Sequence, residues 1–365
     1  MTTIKYIEIV GLTILVACIL FAIQIPVRTK AKRPVRIALW VFKALVCLVL
    51  AFCLISIASR FLWLADYPLS ALYLVLLADV VIEPFLLFIP KLNSKKASIE
   101  LTALSTLVFL CYAIVNMQRI TPDYHTYTSE KLDHTYKVVF VSDLHYGSSQ
   151  SRNTVMKAIE AIGQEHPDYL LLGGDIVDEH TTKEEMEDVF RAFGALDAKT
   201  YYIYGNHDRQ DRFYLLNESP YYSEPELEQA ILSSGITILY NDWEQVEDDL
   251  VLLGMEDPSR PDKRIAISEL HPRPDNTYVI ALEHTPYQND DIKETKADLQ
   301  LSGHTHAGQF FPIRWLYTIA GLNTVGEYNI GDTTLYVSPG IAGWYLPLRS
   351  ESHCHYEVIT FSPKN

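Results

Sequence analysis

Two histidines one residue apart, His304 and His306, lie in the run Gly303-His304-Thr305-His306-Ala307-Gly308-Gln309, behind a strand-like segment. In an extended chain residues i and i+2 point the same way, so the pair reads as two imidazoles aimed at one place, the geometry of metal ligands. A polar hairpin tip is the competing reading of so short a motif. Other strand-like runs end in similar chemistry: Asp143-Leu144-His145, Gly174-Asp175-Ile176-Val177-Asp178, Gly205-Asn206-His207-Asp208 and Glu283-His284. Together the ends supply Asp143, His145, Asp175, Asn206, His284, His304 and His306. That is enough for two divalent ions sharing one carboxylate. Mixed nitrogen and oxygen donors without thiolate suit Mn, Fe or Zn. Two ions roughly 3.5–4 Å apart can hold a phosphate oxygen, lower the pKa of a bridging water and neutralise the transition state of a phosphoester hydrolysis.

The elements that would position these residues follow from spacing. Asp143 and Asp175 are 32 residues apart, and Asp175 and Asn206 31, each about one strand–helix–strand unit. The β-rich run 137–141, the apolar Tyr169–Leu172 and 200–204 read as strands, with helical periodicity over 152–163 and 182–194 between them. Parallel strands in that order deliver their carboxyl ends to one sheet edge, where ligands of open α/β sheets collect. A long loop over 209–222, a helix near 225–233 and strands near 236–240, 249–254 and 278–282 follow. Thr334–Val337 and Tyr356–Phe361 suit antiparallel strands.

Charge divides the chain. Its 365 residues carry a net charge of −15, but residues 1–121 hold 12 Lys/Arg against 5 Asp/Glu, leaving a net of −22 for the rest. So acidic a domain is a poor nucleic-acid binder, since that binding depends on basic residues displacing counterions. Bound cations would have to hold any phosphate it handles. With five cysteines, four of them in apolar segments, a disulfide framework is not expected.

The amino-terminal third has four apolar runs, near 6–26, 37–57, 68–90 and 97–118. Each approaches the roughly 20 residues that span a bilayer, predicting a bundle of four transmembrane helices. Arg28, Lys30, Lys32, Arg33 and Arg36 follow the first run directly, which argues against a cleaved leader. They and Lys91, Lys95 and Lys96 place two loops in the cytoplasm by the positive-inside rule, and the soluble domain outside it. Lys43 and Glu83 have matching depths, predicting a contact between them with Asp79 one turn away. The expected organisation is a membrane anchor over 1–121, a linker with a lead-in strand over 122–136 and a catalytic domain over 137–365.

The ordered set D-x-H, G-D-x-x-D, G-N-H-D, a lone strand-end histidine and G-H-T-H resembles the calcineurin-like metallophosphoesterase family, over about 137–361. The extension Ala307-Gly308-Gln309 and the downstream Leu335–Gly340 are similar to its membrane-associated bacterial branch. The resemblance implies a four-layer αββα sandwich. It implies that Asp143, His145, Asp175 and His306 hold one metal and that Asp175, Asn206, His284 and His304 hold the other, with Asp175 as bridge. It further implies that His207 is the general acid or the stabiliser of the transferring phosphoryl group, with Asp208 orienting its ring. Asp178 is read as a structural hydrogen-bonding acid, and His353-Cys354-His355 as part of a surface strand in preference to a third metal site. His125 is read as a surface residue. The expected substrate is a mono- or diester of phosphate. Anchoring beside a bilayer, together with Phe310, Phe311, Trp315, Tyr317, Trp344 and Tyr345, points to a lipid-linked one. The reading from another class is a membrane transport or scaffold protein whose outer domain binds metal or ligand without turnover. A missing ligand would have favoured it, and none is missing.

Overall fold

The computed structural model describes residues 33–58, 95–211, 219–270, 274–311, 313–344 and 347–364. It divides into two units, Met1–Ile114 and Val115–Asn365.

The described parts of the first unit are helical: α1 (Arg33–Ala58) and most of α2 (Lys95–Gln118). They contain the apolar runs 37–57 and 97–118. Runs 6–26 and 68–90 lie outside the described residues, as do Asp79 and Glu83, the expected neighbours of Lys43. Lys43 itself is buried. Among the described residues no helix is long and apolar enough to cross a membrane. The expected four-helix transmembrane bundle is therefore not seen in the structure. Arg33, Arg36 and Lys43 interrupt the first half of α1, and Lys95, Lys96 and Glu100 open α2.

The second unit is built on two six-stranded sheets. In chain order its elements begin with β1 (Ile120–Ser129), β2 (Tyr136–Val141), α3 (Arg152–Gln164), β3 (Tyr169–Leu172), α4 (Lys183–Gly194), β4 (Lys199–Tyr202), α5 (Glu224–Ser233) and β5 (Thr237–Ile238). They continue with β6 (Asp242–Glu247), β7 (Leu250–Gly254), β8 (Tyr278–Leu282), α6 (Asn289–Thr295), β9 (Leu299–Ser302), α7 (Ile313–Ile319), β10 (Gly326–Ile330), β11 (Thr333–Val337) and β12 (Cys354–Pro363). One sheet has the order β1-β12-β2-β3-β4-β5 and the other β10-β11-β9-β8-β7-β6.

Strands β2, β3, β4 and β5 are parallel, as are β7, β8, β9 and β11. Each parallel step in the first sheet crosses over through a helix whose apolar residues recur at helical spacing. In α3 these are Val155, Ala158, Ile159 and Ile162, and in α4 Met186, Val189, Phe190 and Phe193, all buried. The Ser151 hydroxyl accepts from the Thr154 backbone at the start of α3. At α4, Thr182 and Glu185 form a capping box, a device whose loss costs about 1 kcal/mol.

Three apolar layers hold the unit together. Helices α3, α4 and α5 pack on one face of the first sheet against Val139, Leu170 and Leu172. Phe140, Leu171, Leu252, Ile280 and Leu301 fill the space between the sheets. On the outer face of the second sheet lie Val251, Val279 and Ala281 in one cluster, and Ile292 of α6 against Leu335 and Val337 in another. Burying each such side chain contributes about 1.5–3 kcal/mol. Helices on the outer face of one sheet and helix-bearing segments on that of the other make mixed α/β sheets consistent with the fold that the resemblance implied.

Three local expectations change. The segment read as linker plus lead-in strand contains a full edge strand, β1, paired in parallel with β12 over ten residues from Ile120↔Cys354 to Ser129↔Pro363. Its alternating polar composition had hidden the pairing, because only one face is covered. The two tail strands are of mixed sense: β12 is antiparallel to β2 but parallel to β1, and β11 is antiparallel to β10 but parallel to β9. His353-Cys354-His355 is not a surface strand either. Cys354 and His355 are buried, because β12 is an inner strand of its sheet.

Candidate metal centre

Strand ends of both sheets meet at the site. Asp143 and His145 follow β2, Asp175 follows β3, and Asn206 and His207 follow β4. His284 follows β8, and His304 and His306 follow β9. Backbone bonds tie the turns together: Asp143 N–H donates to Gly174 O (3.1 Å), His145 N–H to Asp175 O (3.0 Å) and Gly303 N–H to His284 O (3.0 Å). The last of these joins the two loops of the second sheet.

Asp143, His145, Asp175, His304 and His306 all have positive φ, between 44° and 73°. Each left-handed residue of this kind costs about 1–2 kcal/mol, and such strain concentrates at functional sites. This geometry corrects the extended reading of the histidine pair. His304 (φ 73°) and His306 (φ 49°) flank Thr305 at φ −85°, ψ −17°, so the segment is a tight turn, not a strand. Its two imidazoles diverge.

The divergence sorts the ligands into two groups. Asp143, His145 and His306 form one cluster of potential donors, and Asp175, His284 and His304 the other. In the first, His145 Nε2 lies 3.2 Å from His306 Nε2, and His306 Nε2 lies 3.5 Å from Asp143 Oδ1. In the second, His284 Nε2 is 3.0 Å from Asp175 Oδ2, and His304 Nδ1 is 2.8 Å from Asn206 Oδ1. Asp175 also faces the first group, with Oδ2 3.7 Å from His145 Nε2. It stands where a shared carboxylate is needed.

The donor set fits divalent cations. Two imidazoles are oriented by hydrogen bonds at Nδ1, His284 by Gly173 O (2.8 Å) and His306 by Ala342 O (3.2 Å), and the Asp178 carboxylate lies 3.2 Å from His145 Nδ1. That pattern leaves Nε2 as the lone-pair donor and is the usual support of a metal-ligating histidine. His284 Nε2 is buried without a hydrogen bond. Two Nε2 atoms 3.2 Å apart are the separation of neighbours in one coordination shell, given metal–nitrogen bonds of roughly 2.0–2.1 Å. Burial pushes His304 down to about 4 and His306 to about 3, so both are neutral donors near pH 7. Burial also disfavours charge on His284, but the Asp175 and Asp143 carboxylates outweigh it and raise its pKa. Those carboxylates call for positive charge at this place.

His207 sits beside the clusters rather than in them. Its Nδ1 lies 2.8 Å from Glu179 Oε2, its ring 5.4 Å from that of His145 and 5.7 Å from that of Trp344. Asp208 does not orient this ring. Its carboxylate accepts from the backbone N–H groups of Asp175 (2.8 Å), Ile176 (2.9 Å), Val177 (3.2 Å) and Gly205 (2.6 Å). The side chain of Asp208 is turned into the strand ends, where it locks two loops together, and the orienting carboxylate is Glu179. Sequence reasoning passed over Glu179 although it directly follows Asp178. Asp178 holds His145 and accepts from His180 N–H (2.8 Å). Arg349, also unmarked in the sequence, is fully buried and donates to the carbonyls of Ala342 (2.9 Å) and His306 (2.7 Å), fixing the turn after His306.

Two glycines allow the close approach of these loops. A Cβ on Gly205 would overlap the Asp175 carboxylate and backbone nitrogen, and one on Gly303 would overlap the Asp143 carboxylate. Gly205→Ala is expected to displace Asp175 and weaken metal binding about 10–100-fold, the scale of disturbed ligand support. Isothermal titration with Mn²⁺ checks this; unchanged affinity would mean that the loop absorbs the methyl group without moving Asp175.

Residues 136–308 match the model of the calcineurin-like phosphoesterase family. An uncharacterised metallophosphoesterase of Helicobacter pylori (strain J99) is 32% identical over 245 residues, 65% of this chain and 62% of that protein. A protein of Danio rerio named a transmembrane protein with metallophosphoesterase domain is 24% identical over 334 residues, 82% of this chain and 74% of its own length. A phosphodiesterase of Escherichia coli (strain K12) is 28% identical over 232 residues, 58% of this chain and 76% of its length. The chain thus spans about three fifths of the Helicobacter relative.

Proposed function

We propose that this chain, which belongs through residues 136–308 to the calcineurin-like phosphoesterase family, is a metal-dependent phosphohydrolase cleaving phosphate mono- or diesters. The observation that carries the reading is the pair of ligand clusters that face each other across Asp175. Asp143, His145 and His306 would hold one divalent ion, and His284, His304 and Asn206 the other, with Asp175 between. Bound ions would grip the phosphoryl oxygens, activate water and offset the charge of the transition state. The rest falls to the protein. Glu179 fixes the tautomer of His207, whose other nitrogen then serves to protonate the leaving oxygen or to stabilise the phosphoryl group. Asp208 keeps the Asp175 and Gly205 loops in register. In a domain of net charge −22, an anionic substrate depends on those cations for its attraction.

The same proposal places the domain at a bilayer, with a lipid-linked or amphipathic phosphoester as substrate. Phe42, Leu45, Leu107, Val108 and Val115 of α1 and α2 are exposed, which suits an apolar environment. The match to the Danio rerio protein is longer than Val115–Asn365 alone and so reaches into the first unit. Near the candidate metal centre α7 exposes Trp315 (62%), a residue type that favours a membrane interface, and the apolar Ile319 (83%). In the sequence, the basic residues over 28–36 and 91–96 support an anchor whose attached domain faces away from the cytoplasm.

The test is hydrolysis of chromogenic mono- and diesters, soluble and micellar, by the detergent-solubilised full chain with Mn²⁺. Turnover of at least one ester class is expected, faster on micellar substrate. Equal rates on soluble and micellar esters would remove the lipid reading, and no turnover of any ester would favour a domain that binds without catalysis.

A further inference from the structure

We propose that Asp123, His355 and Glu357 form a third divalent-cation site at the β1–β12 edge, separate from the dinuclear centre, with His125 beside it as a hydrogen-bond partner of Glu357. Parallel pairing sets Thr121 opposite His355, Asp123 opposite Glu357 and His125 opposite Ile359. Alternate residues of a strand share a face, so the side chains of Asp123, His125, His355 and Glu357 project from the same side of the sheet. That side looks toward the second sheet, because Ile359 and Phe361 belong to the core between the sheets.

The donor atoms are close. Asp123, His355 and Glu357 offer ligand atoms within 4.8 Å of one another. His355 Nε2 is 3.2 Å from Glu357 Oε1 and 3.9 Å from Asp123 Oδ2. His125 Nε2 is 3.1 Å from Glu357 Oε2 and 3.5 Å from Asp123 Oδ2. Tetrahedral zinc with bonds of roughly 2.0–2.2 Å places neighbouring donors about 3.3–3.6 Å apart, near these separations.

A second observation points to a ligand. His355 is only 7% exposed, yet neither ring nitrogen has a hydrogen-bond partner. A buried polar group left without one is costly, and a coordinated cation relieves that cost. Glu357 is fully buried and held from the far side, Oε1 accepting from Ser338 Oγ (2.7 Å) and Oε2 from the Tyr336 hydroxyl (3.1 Å). Asp123, half-exposed at 49%, leaves a path for the ion. Cys354 takes no part, since alternation turns its Sγ to the opposite face, 3.4 Å from Met117 O. One imidazole and two carboxylates without thiolate, with a position left open for water, suit Zn²⁺.

Such an ion would pin the edge strand that follows α2 onto β12. Metal-stripped full chain in detergent, dialysed against buffered Zn²⁺, is assayed for metal per chain in wild type, Asp123→Ala, His355→Gln and Asp175→Ala. Wild type is expected to hold three ions, with Asp123→Ala and His355→Gln each losing one while hydrolysis is kept. Asp175→Ala is expected to retain one ion, which is lost when Asp123→Ala is added. Should His355→Gln fail to fold, the half-exposed Asp123 carries the comparison. A wild-type count that neither Asp123→Ala nor His355→Gln lowers would overturn the proposal, leaving a hydrogen-bonded carboxylate–imidazole cluster. One ion in wild type, lost in Asp123→Ala, would support this site while contradicting the dinuclear one.

Discussion

Asp175→Ala is expected to lower kcat/KM by about 10³-fold or more, equivalent to roughly 4 kcal/mol of transition-state stabilisation, and to deplete both ions of the dinuclear centre. The Asp175 carboxylate faces both clusters and the His207 backbone at once. Oδ1 accepts from His207 N–H at 2.9 Å, while Oδ2 lies 3.0 Å from His284 and 3.7 Å from His145. Burial disfavours its charge, yet His284 and the neighbouring imidazoles hold it well below the usual carboxylate range. Its removal strips both clusters of their common anion and frees the His207 backbone. Metal analysis beside steady-state kinetics checks the claim; a variant that keeps both ions and its rate would show that Asp175 is not shared.

His207→Ala is expected to reduce kcat by roughly 10²–10⁴-fold, the range of a lost general acid or base, with metal content unchanged. Glu179→Gln separates positioning from chemistry. It keeps the size of the side chain but not the carboxylate 2.8 Å from Nδ1, and is expected to cost about 10–100-fold. The loss should fall on kcat with KM little altered, and Glu179→Asp should recover part of it. Were Glu179 merely structural, the loss would appear in thermal stability and be independent of which acid replaces it. An Asp208→Asn variant tests the corrected role of its neighbour. The four backbone bonds to Asp208 predict lower thermal stability together with lower activity.

The residues that gather in the two candidate clusters were legible because each follows a strand, and strand spacing is written in the hydrophobic pattern. Asp143, Asp175 and Asn206 reach one edge through two successive parallel crossovers, which the sequence shows as apolar runs and amphipathic helices of about the right length. What the pattern could not carry was local backbone handedness. Reading His304 and His306 as an extended pair missed that both adopt positive φ, which is why they part toward different clusters. Glu179 was invisible for a related reason: its partner His207 lies 28 residues away, and no periodicity links them. The polar composition of β1 concealed a ten-residue pairing, since an edge strand has only one neighbour to satisfy. β6, read as Asp242-Trp243-Glu244-Gln245-Val246-Glu247, was missed because its charges suit a loop as well as an edge strand. In the amino-terminal third the apolar runs 37–57 and 97–118 are helical, while their relation to a bilayer rests on the proposal above.

The most direct test of the account is metal removal and restoration in the full chain. Hydrolysis of a chromogenic phosphodiester is followed in protein stripped with chelator, then titrated with Mn²⁺, for wild type and Asp175→Ala. The account predicts that wild-type activity vanishes on stripping and returns with added metal, whereas Asp175→Ala recovers less than about a thousandth of that rate. Full activity in stripped protein, or equal recovery in the variant, would contradict it.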